Sequence, residues 1–351
     1  MDLLFTLVDL AARPLKLFRK NPARAAGSGL RILVIRRNRM GDMIYTLPLL
    51  HAIRKRHPTA RLAVACDAAG APIAKASGSV DEVIVLKPSW NRWIGIFKNA
   101  ARLQDYDCVI AAKGGYDKRL AVLVRLTNAP QRIGFARQTG RPCRFYAHAV
   151  NPPENPHGEH QIETQLRLLA PLGIQDATPD LHLNIPPESR DRARQILQSQ
   201  PFLSHPGFVL INISCNRPVK FNDEDYAALI GSLLKNTDYA VGIVCAPADR
   251  DRAQRVVLRV GRDRAAVADT PESLDLAALL QQAAFFITPE GGAAHLSAAT
   301  QTPTLVLWSG HYQKWRPRGE RHILVEAVDG ESSIPQDRIL QALAPMFHHV
   351  P

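Results

Sequence analysis

The chain has 351 residues, of which 46% are hydrophobic, 22% charged and 6% aromatic, a balance that excludes a disordered, collagen-like or disulfide-framework protein. That length suits about two domains, each large enough to bury its own core. The net charge of +12 is uneven: residues 1–150 hold 26 Lys+Arg against 9 Asp+Glu (+17), and residues 151–351 hold 18 against 23 (−5). One half is therefore built to face something anionic, be it a phosphorylated substrate, an acidic membrane surface or nucleic acid. No window approaches the roughly 18 to 20 apolar residues of a membrane-spanning helix. The five cysteines (Cys66, Cys108, Cys143, Cys215, Cys245) form no CxxC pair. They suit a reduced, cytoplasmic chain without structural zinc.

Residues 1–29 read as an added N-terminal extension. Leu3, Leu4, Leu7, Val8, Ala11, Leu15 and Phe18 share one helical face, and Asp2, Asp9, Arg13, Lys16 and Lys20 another. Such a basic amphipathic helix either lies in an anionic membrane interface, through residues 1–24, or packs on the protein's own surface. The Ala/Gly/Ser stretch Ala25–Gly29 then serves as a linker.

From Arg31 the pattern alternates strand and helix. Strand-like runs occur at Arg31–Arg36, Arg61–Cys66, Glu82–Leu86 and Asp107–Ala112, with helix-length spacers and an apolar-periodic stretch from Gly41 to His57. The Pro-rich stretch Asn151–His160 is the best linker between domains. A second series follows, with strands at Phe208–Ile213, Tyr239–Cys245, Ala284–Thr288 and Thr304–Trp308. Helices are expected at Glu224–Lys235, Arg250–Val260, Ser273–Ala283 and Ala293–Ala299. Alternation of this kind predicts an α/β protein with two doubly wound domains, 30–160 and 161–351, the last helix packing back on the first domain. Ligands then bind at the carboxyl ends of the strands, with the cleft between the domains as the default site.

Three segments carry candidate chemistry. In RRNRMGDMIYTLP (Arg36–Pro48), Asp42 either caps the next helix or is held at a strand end as a general base. One glycine here is too few for a dinucleotide fingerprint, which disfavours hydride transfer. In ISCNRPVKFNDEDY (Ile213–Tyr226), Ser214 and Asn216 can donate to phosphate oxygens and Lys220 supplies a compact positive charge, although a solvent-facing lysine before a helix is common. In TPEGGAAHLSAA (Thr288–Ala299), Gly291 and Gly292 let a ligand approach a helix N-terminus that favours phosphate. Glu290 can bond a sugar hydroxyl, and His295 either joins it or is satisfied by local backbone. Helix capping and solvation account for the DxD pairs at Asp105/Asp107, Asp223/Asp225 and Asp249/Asp251. His157, Glu159 and His160 lack a zinc-binding register.

Together these segments resemble the glycosyltransferase family that includes the bacterial lipopolysaccharide heptosyltransferases. The resemblance runs from about Arg31 to about Gly310. It rests on ILVIRRNRMGDMIYTLPLLHAIRKRHP, DCVIAAKGGYDKRLAVLVRLTNAPQRIGF, HQIETQLRLLAPLG and ITPEGGAAHLSAATQTPTLVLW. It implies a GT-B enzyme, two Rossmann-like domains facing across a cleft, acceptor bound by the first and nucleotide-sugar by the second. It further implies inverting transfer, needing neither cofactor nor metal, of heptose from ADP-heptose to an acidic lipopolysaccharide inner-core acceptor at the cytoplasmic face of the inner membrane. By position, Asp42 would be the base and Lys220 would neutralise the diphosphate. Ser214, Asn216, Glu290, Gly291, Gly292 and His295 would bind donor, and Arg37, Arg39 and Lys113 acceptor. The family often has Asp where Glu290 stands, which leaves the donor sugar open, and Gln where Lys113 stands, which leaves the acceptor open; a UDP or GDP hexose or N-acetylhexosamine donor is the alternative. A non-catalytic glycan- or nucleotide-binding homologue is a further one. A nucleic-acid partner is not expected, because the basic half holds no recognised nucleic-acid module.

Overall fold

The computed structural model describes residues 2–15, 29–37, 39–87, 93–137, 143–155, 157–200, 207–215, 221–261, 263–308, 313–319, 321–326 and 334–347. Its contacts divide into two compact units, Met1–His182 and Leu183–Pro351. In the first, the elements are α1 (Asp2–Leu15), β1 (Arg31–Arg36), α2 (Met40–Ile44), α3 (Leu47–Arg56), β2 (Arg61–Cys66), α4 (Ala71–Ala76), β3 (Glu82–Val85), α5 (Trp93–Arg102), β4 (Cys108–Ala111), α6 (Lys118–Leu126), β5 (Gln131–Phe135), β6 (His148–Val150) and α7 (Gln161–Leu166). In the second they are α8 (Pro187–Ser199), β7 (Phe208–Asn212), α9 (Asp223–Asn236), β8 (Ala240–Val244), α10 (Arg250–Val260), β9 (Ala265–Val267), α11 (Ser273–Leu280), β10 (Phe285–Pro289), α12 (Gly292–Ala299), β11 (Thr304–Trp308), β12 (His322–Glu326) and α13 (Gln336–Phe347).

Each unit holds one parallel six-stranded sheet. The orders are β3-β2-β1-β4-β5-β6 and β12-β11-β10-β7-β8-β9, the same doubly wound topology used twice. Strands covered by helices on both faces must be apolar along their length, and β1, β7, β8, β10 and β11 are buried almost end to end. In register, Ile35 of β1 pairs with Ala65 of β2 and Ala111 of β4, so the carboxyl ends of these strands finish level.

Several boundaries differ from the sequence reading. The apolar stretch to His57 is two helices, because Pro48 belongs in the first turn of α3, where its missing N–H costs no bond. Strands β5, β6, β9 and β12 are additional. In β5, Gly134 weakens the strand signal; a Cβ there would collide with the Tyr146 ring, so the glycine serves packing. Strands β6 and β9 span only three residues each and are held by one neighbour. β12 ends its sheet, although its apolar run Ile323–Val325 was open to reading from sequence.

The division between units falls at 182/183 rather than 160/161. Residues 151–160 turn the chain from β6 into α7, and α7 stays on the first unit: Gln165 is fully buried against Thr46, and the His160 ring meets Tyr45 edge-on at 5.2 Å. The last helix, α13, packs on the core of the second unit, to which its contacts assign it. Its Ile339 and Leu343 enter that core, and Gln336 donates to Ala228 O at 2.9 Å. The N-terminal helix α1 also has a place: Val8, Ala12 and Leu15 join the first core, and Asp9 pairs with Arg125 of α6. Lys16, Phe18, Lys20 and the linker up to Ser28 lie outside the described residues. Among the described residues no helix is long and apolar enough to cross a membrane. All five cysteines are free thiols, and burial pushes Cys66 and Cys108 up to about 12.

Candidate active site

In the first unit the site grows from the end of β1. Arg36 closes β1 after the apolar run Ile32–Ile35 and is only 2% exposed. Its Nε donates to Asp42 O at 3.1 Å, its Nη1 to Ala112 O at 2.7 Å, and its Nη2 to Asp42 Oδ1. Burial lowers the guanidinium from its usual value while Asp42 acts to raise it, and an arginine stays charged throughout. Asp42 is the third residue of α2 and not its cap; Arg39 is the cap, and its N–H donates to Asp42 Oδ2 at 3.2 Å. The carboxylate is thus oriented from both sides at a strand's carboxyl end, where a general base must be held.

Lys113, just past β4, donates to Asp117 Oδ2 at 2.5 Å, and Arg37 lies 3.4 Å from the same oxygen. Asp117 Oδ1 meanwhile caps α6 through Arg119 N and Leu120 N. Burial acts to raise Asp117, but the Lys113 bond, the Leu120 N–H and the two cations outweigh it and hold the carboxyl below its ordinary value. Arg39 is exposed, and Arg137 lies over the Tyr116 ring at 4.8 Å from its centroid. The expected acceptor-side residues Arg37 and Lys113 are therefore joined by Asp117.

In the second unit, buried Asn212 at the end of β7 donates to Thr288 Oγ1 of β10 at 3.0 Å and accepts from Ser214 N at 3.0 Å. Ser214 spends its hydroxyl on the fold: it donates to Asp249 Oδ2 at 2.5 Å and accepts from Ala246 N at 2.7 Å. Capping therefore does not account for Asp249. Arg252 binds both ends of the neighbouring loop, donating to Ile213 O at 2.8 Å and Phe221 O at 3.1 Å while paired with Asp223. Asn216 and Lys220, within that loop, lie outside the described residues.

At the end of β10, Glu290 is 5% exposed and Gly291 has φ +152°, a conformation that requires glycine. Gly292 opens α12, whose first N–H groups have no helical acceptor and favour an anion. His295, one turn on, is buried beside them. Among the described residues, no three His, Cys, Asp or Glu side chains are grouped to hold a metal ion. Sequence reasoning missed Arg36, Asp117, Asn212, Thr288, Asp249 and Arg252. For Arg36 a signal existed: a charge ending a buried apolar run needs a partner.

A family model described as glycosyltransferase family 9 (heptosyltransferase) matches residues 95–339. Lipopolysaccharide heptosyltransferase 3 of Escherichia coli is 24% identical over 314 residues, covering 80% of this chain and 88% of that protein. Among solved structures, a family 9 glycosyl transferase from Veillonella parvula superposes with a TM-score of 0.77 at 20% identity, over 92% of this chain and 99% of that one. E. coli heptosyltransferase WaaC with ADP superposes at 0.73 and 22% identity, over 90% and 100%.

Proposed function

The chain belongs to glycosyltransferase family 9 (heptosyltransferase), and from that membership we propose that it moves heptose from ADP-heptose to an acidic lipopolysaccharide inner-core acceptor. The observation that supports this reading is the Arg36–Asp42 pair at the end of β1, which holds a carboxylate at the carboxyl end of a parallel strand, the end at which sheets of this kind bind their ligands. The reaction is a single, inverting displacement. Asp42 takes the hydroxyl proton as the acceptor oxygen bonds to the anomeric carbon, and the bond to the nucleoside diphosphate breaks on the opposite face. The N-terminus of α12 and Lys220 are assigned to the charge developing on the diphosphate, and no metal is invoked. Arg37, Arg39 and Lys113 are assigned to the acidic acceptor. The cytoplasmic face of an anionic inner membrane is the proposed place of work, touched through α1.

Calorimetry with ADP, UDP, GDP and CMP, in EDTA, tests the donor. We expect ADP to bind best. A preference for UDP or GDP would keep the fold and lose the heptose, and no binding at all would favour a non-catalytic homologue. Asp42→Ala should cost turnover at least about a hundredfold, the scale of general-base catalysis, while ADP affinity stays within a few-fold. Retained turnover would remove Asp42 as the base.

A further inference from the structure

We propose that Gln161 binds the acceptor, its carboxamide hydrogen-bonding a hydroxyl of the acceptor sugar beside Asp42; the inference rests on the transfer reaction proposed above. Gln161 opens α7 and is 2% exposed, yet its Nε2 is buried with no hydrogen-bond partner. A buried amide without a partner is unfavourable, and leucine or methionine would fill the same volume at no such cost. Gln165, one turn further along α7, accepts from Thr46 Oγ1 at 2.9 Å through its Oε1, but its Nε2 is likewise buried without a partner, so this helix carries two unfulfilled amides, of which Gln161 is the one that rests on Gly114. An unfulfilled amide kept inside a fold is a mark of a site rather than of a core.

The surroundings place that amide at the reaction centre. It lies on Gly114, where a Cβ would collide with it. Gly114 is two residues beyond Ala112, whose carbonyl is held by the same Arg36 that holds Asp42. From the other side, Thr46 Oγ1 lies 2.9 Å from both Asp42 O and the Gln165 carboxamide. Asp42 and Gln161 are thus fixed to each other twice, through β1 and β4 and through α2 and α7. Lys113, Arg37 and Asp117 already supply charge nearby. A neutral carboxamide, both donor and acceptor, complements a hydroxyl.

The test uses the full chain with ADP-heptose and truncated lipopolysaccharide. Gln161→Leu should melt at the wild-type temperature or above, because an unfulfilled amide has gone. Its KM for the acceptor should rise about tenfold or more, the scale of one lost hydrogen bond to substrate. The donor KM and ADP affinity should not move. Gly114→Ala, which is accommodated by displacing the carboxamide, should reproduce the acceptor defect with Gln161 intact. A Gln161→Leu enzyme with wild-type acceptor KM overturns the inference, as does a lowered melting temperature with donor and acceptor KM equally affected. A wild type that binds ADP but leaves truncated lipopolysaccharide unglycosylated would overturn the acceptor assignment and this inference with it.

Discussion

At the residue scale, Arg36 shows how a site is held by its own fold. Three acceptors surround the buried guanidinium, and two of them belong to Asp42. Removing one partner of a buried pair leaves the other uncompensated, so Arg36→Ala should cost about 3 to 5 kcal/mol. The check is a lower denaturant midpoint at unchanged slope. His322 makes a different prediction. It sits 3.2 Å from Ser297 Oγ, and burial lowers it to about 4. Below the unfolded value near 6.5 the unfolded chain gains a proton that the folded one refuses. Its contribution is therefore complete above about pH 6.5, falls as pH drops towards 4, and totals roughly 3 kcal/mol. The stability difference between wild type and His322→Asn, followed from pH 7 to pH 4, should shrink by about that amount; a constant difference would refute it.

At the element scale, α1 takes one of the two roles that its pattern presented as alternatives, packing on the first core, and its outer face sets the test of the other. Val8, Ala12 and Leu15 face the core, while Leu7 and Leu10 remain 55% and 50% exposed. Helix α5 packs, like α1, against α6, and it too leaves Trp93 and Ile94 outward. Apolar residues beside Arg13, Lys98 and Arg102 suit an anionic lipid surface. Wild-type protein should float with vesicles containing phosphatidylglycerol, less so as salt rises, and not with neutral ones. The Leu7→Ser/Leu10→Ser double variant should bind at least about tenfold more weakly, since each leucine gives roughly 1.5 to 3 kcal/mol on full burial; equal binding would confine α1 to packing. The buried strands β1, β2 and β11 and the surface helix α10 match their sequence-read bounds residue for residue. Apolar runs sufficed for the strands, and in the structure the left-handed Gly261 ends α10. The three-residue strands β6 and β9 carry too few side chains for any period, and they exist because a neighbour offers its edge.

At the scale of the whole molecule, the charge asymmetry follows the units. Residues 1–182 hold 27 Lys+Arg against 14 Asp+Glu (+13), and residues 183–351 hold 17 against 18 (−1). The correction arises because residues 151–182 carry five acids and one base onto the first unit. A fragment of residues 1–182 should therefore fold cooperatively, whereas one ending at 160 lacks α7 and uncovers Thr46. Circular dichroism melts of the two fragments check this, and equal stability would return the boundary to the proline-rich stretch. By itself the sequence determined the class of fold, the strand-end position of Asp42 and the glycines at the start of α12, because each follows from local periodicity and local backbone demands. Only the tertiary structure decided that Arg36 grips Asp42, that Ser214 turns to Asp249, and that Gln161 rests on Gly114. These pairings join residues that no local pattern relates, and they arise where neighbouring parallel strands end at one level.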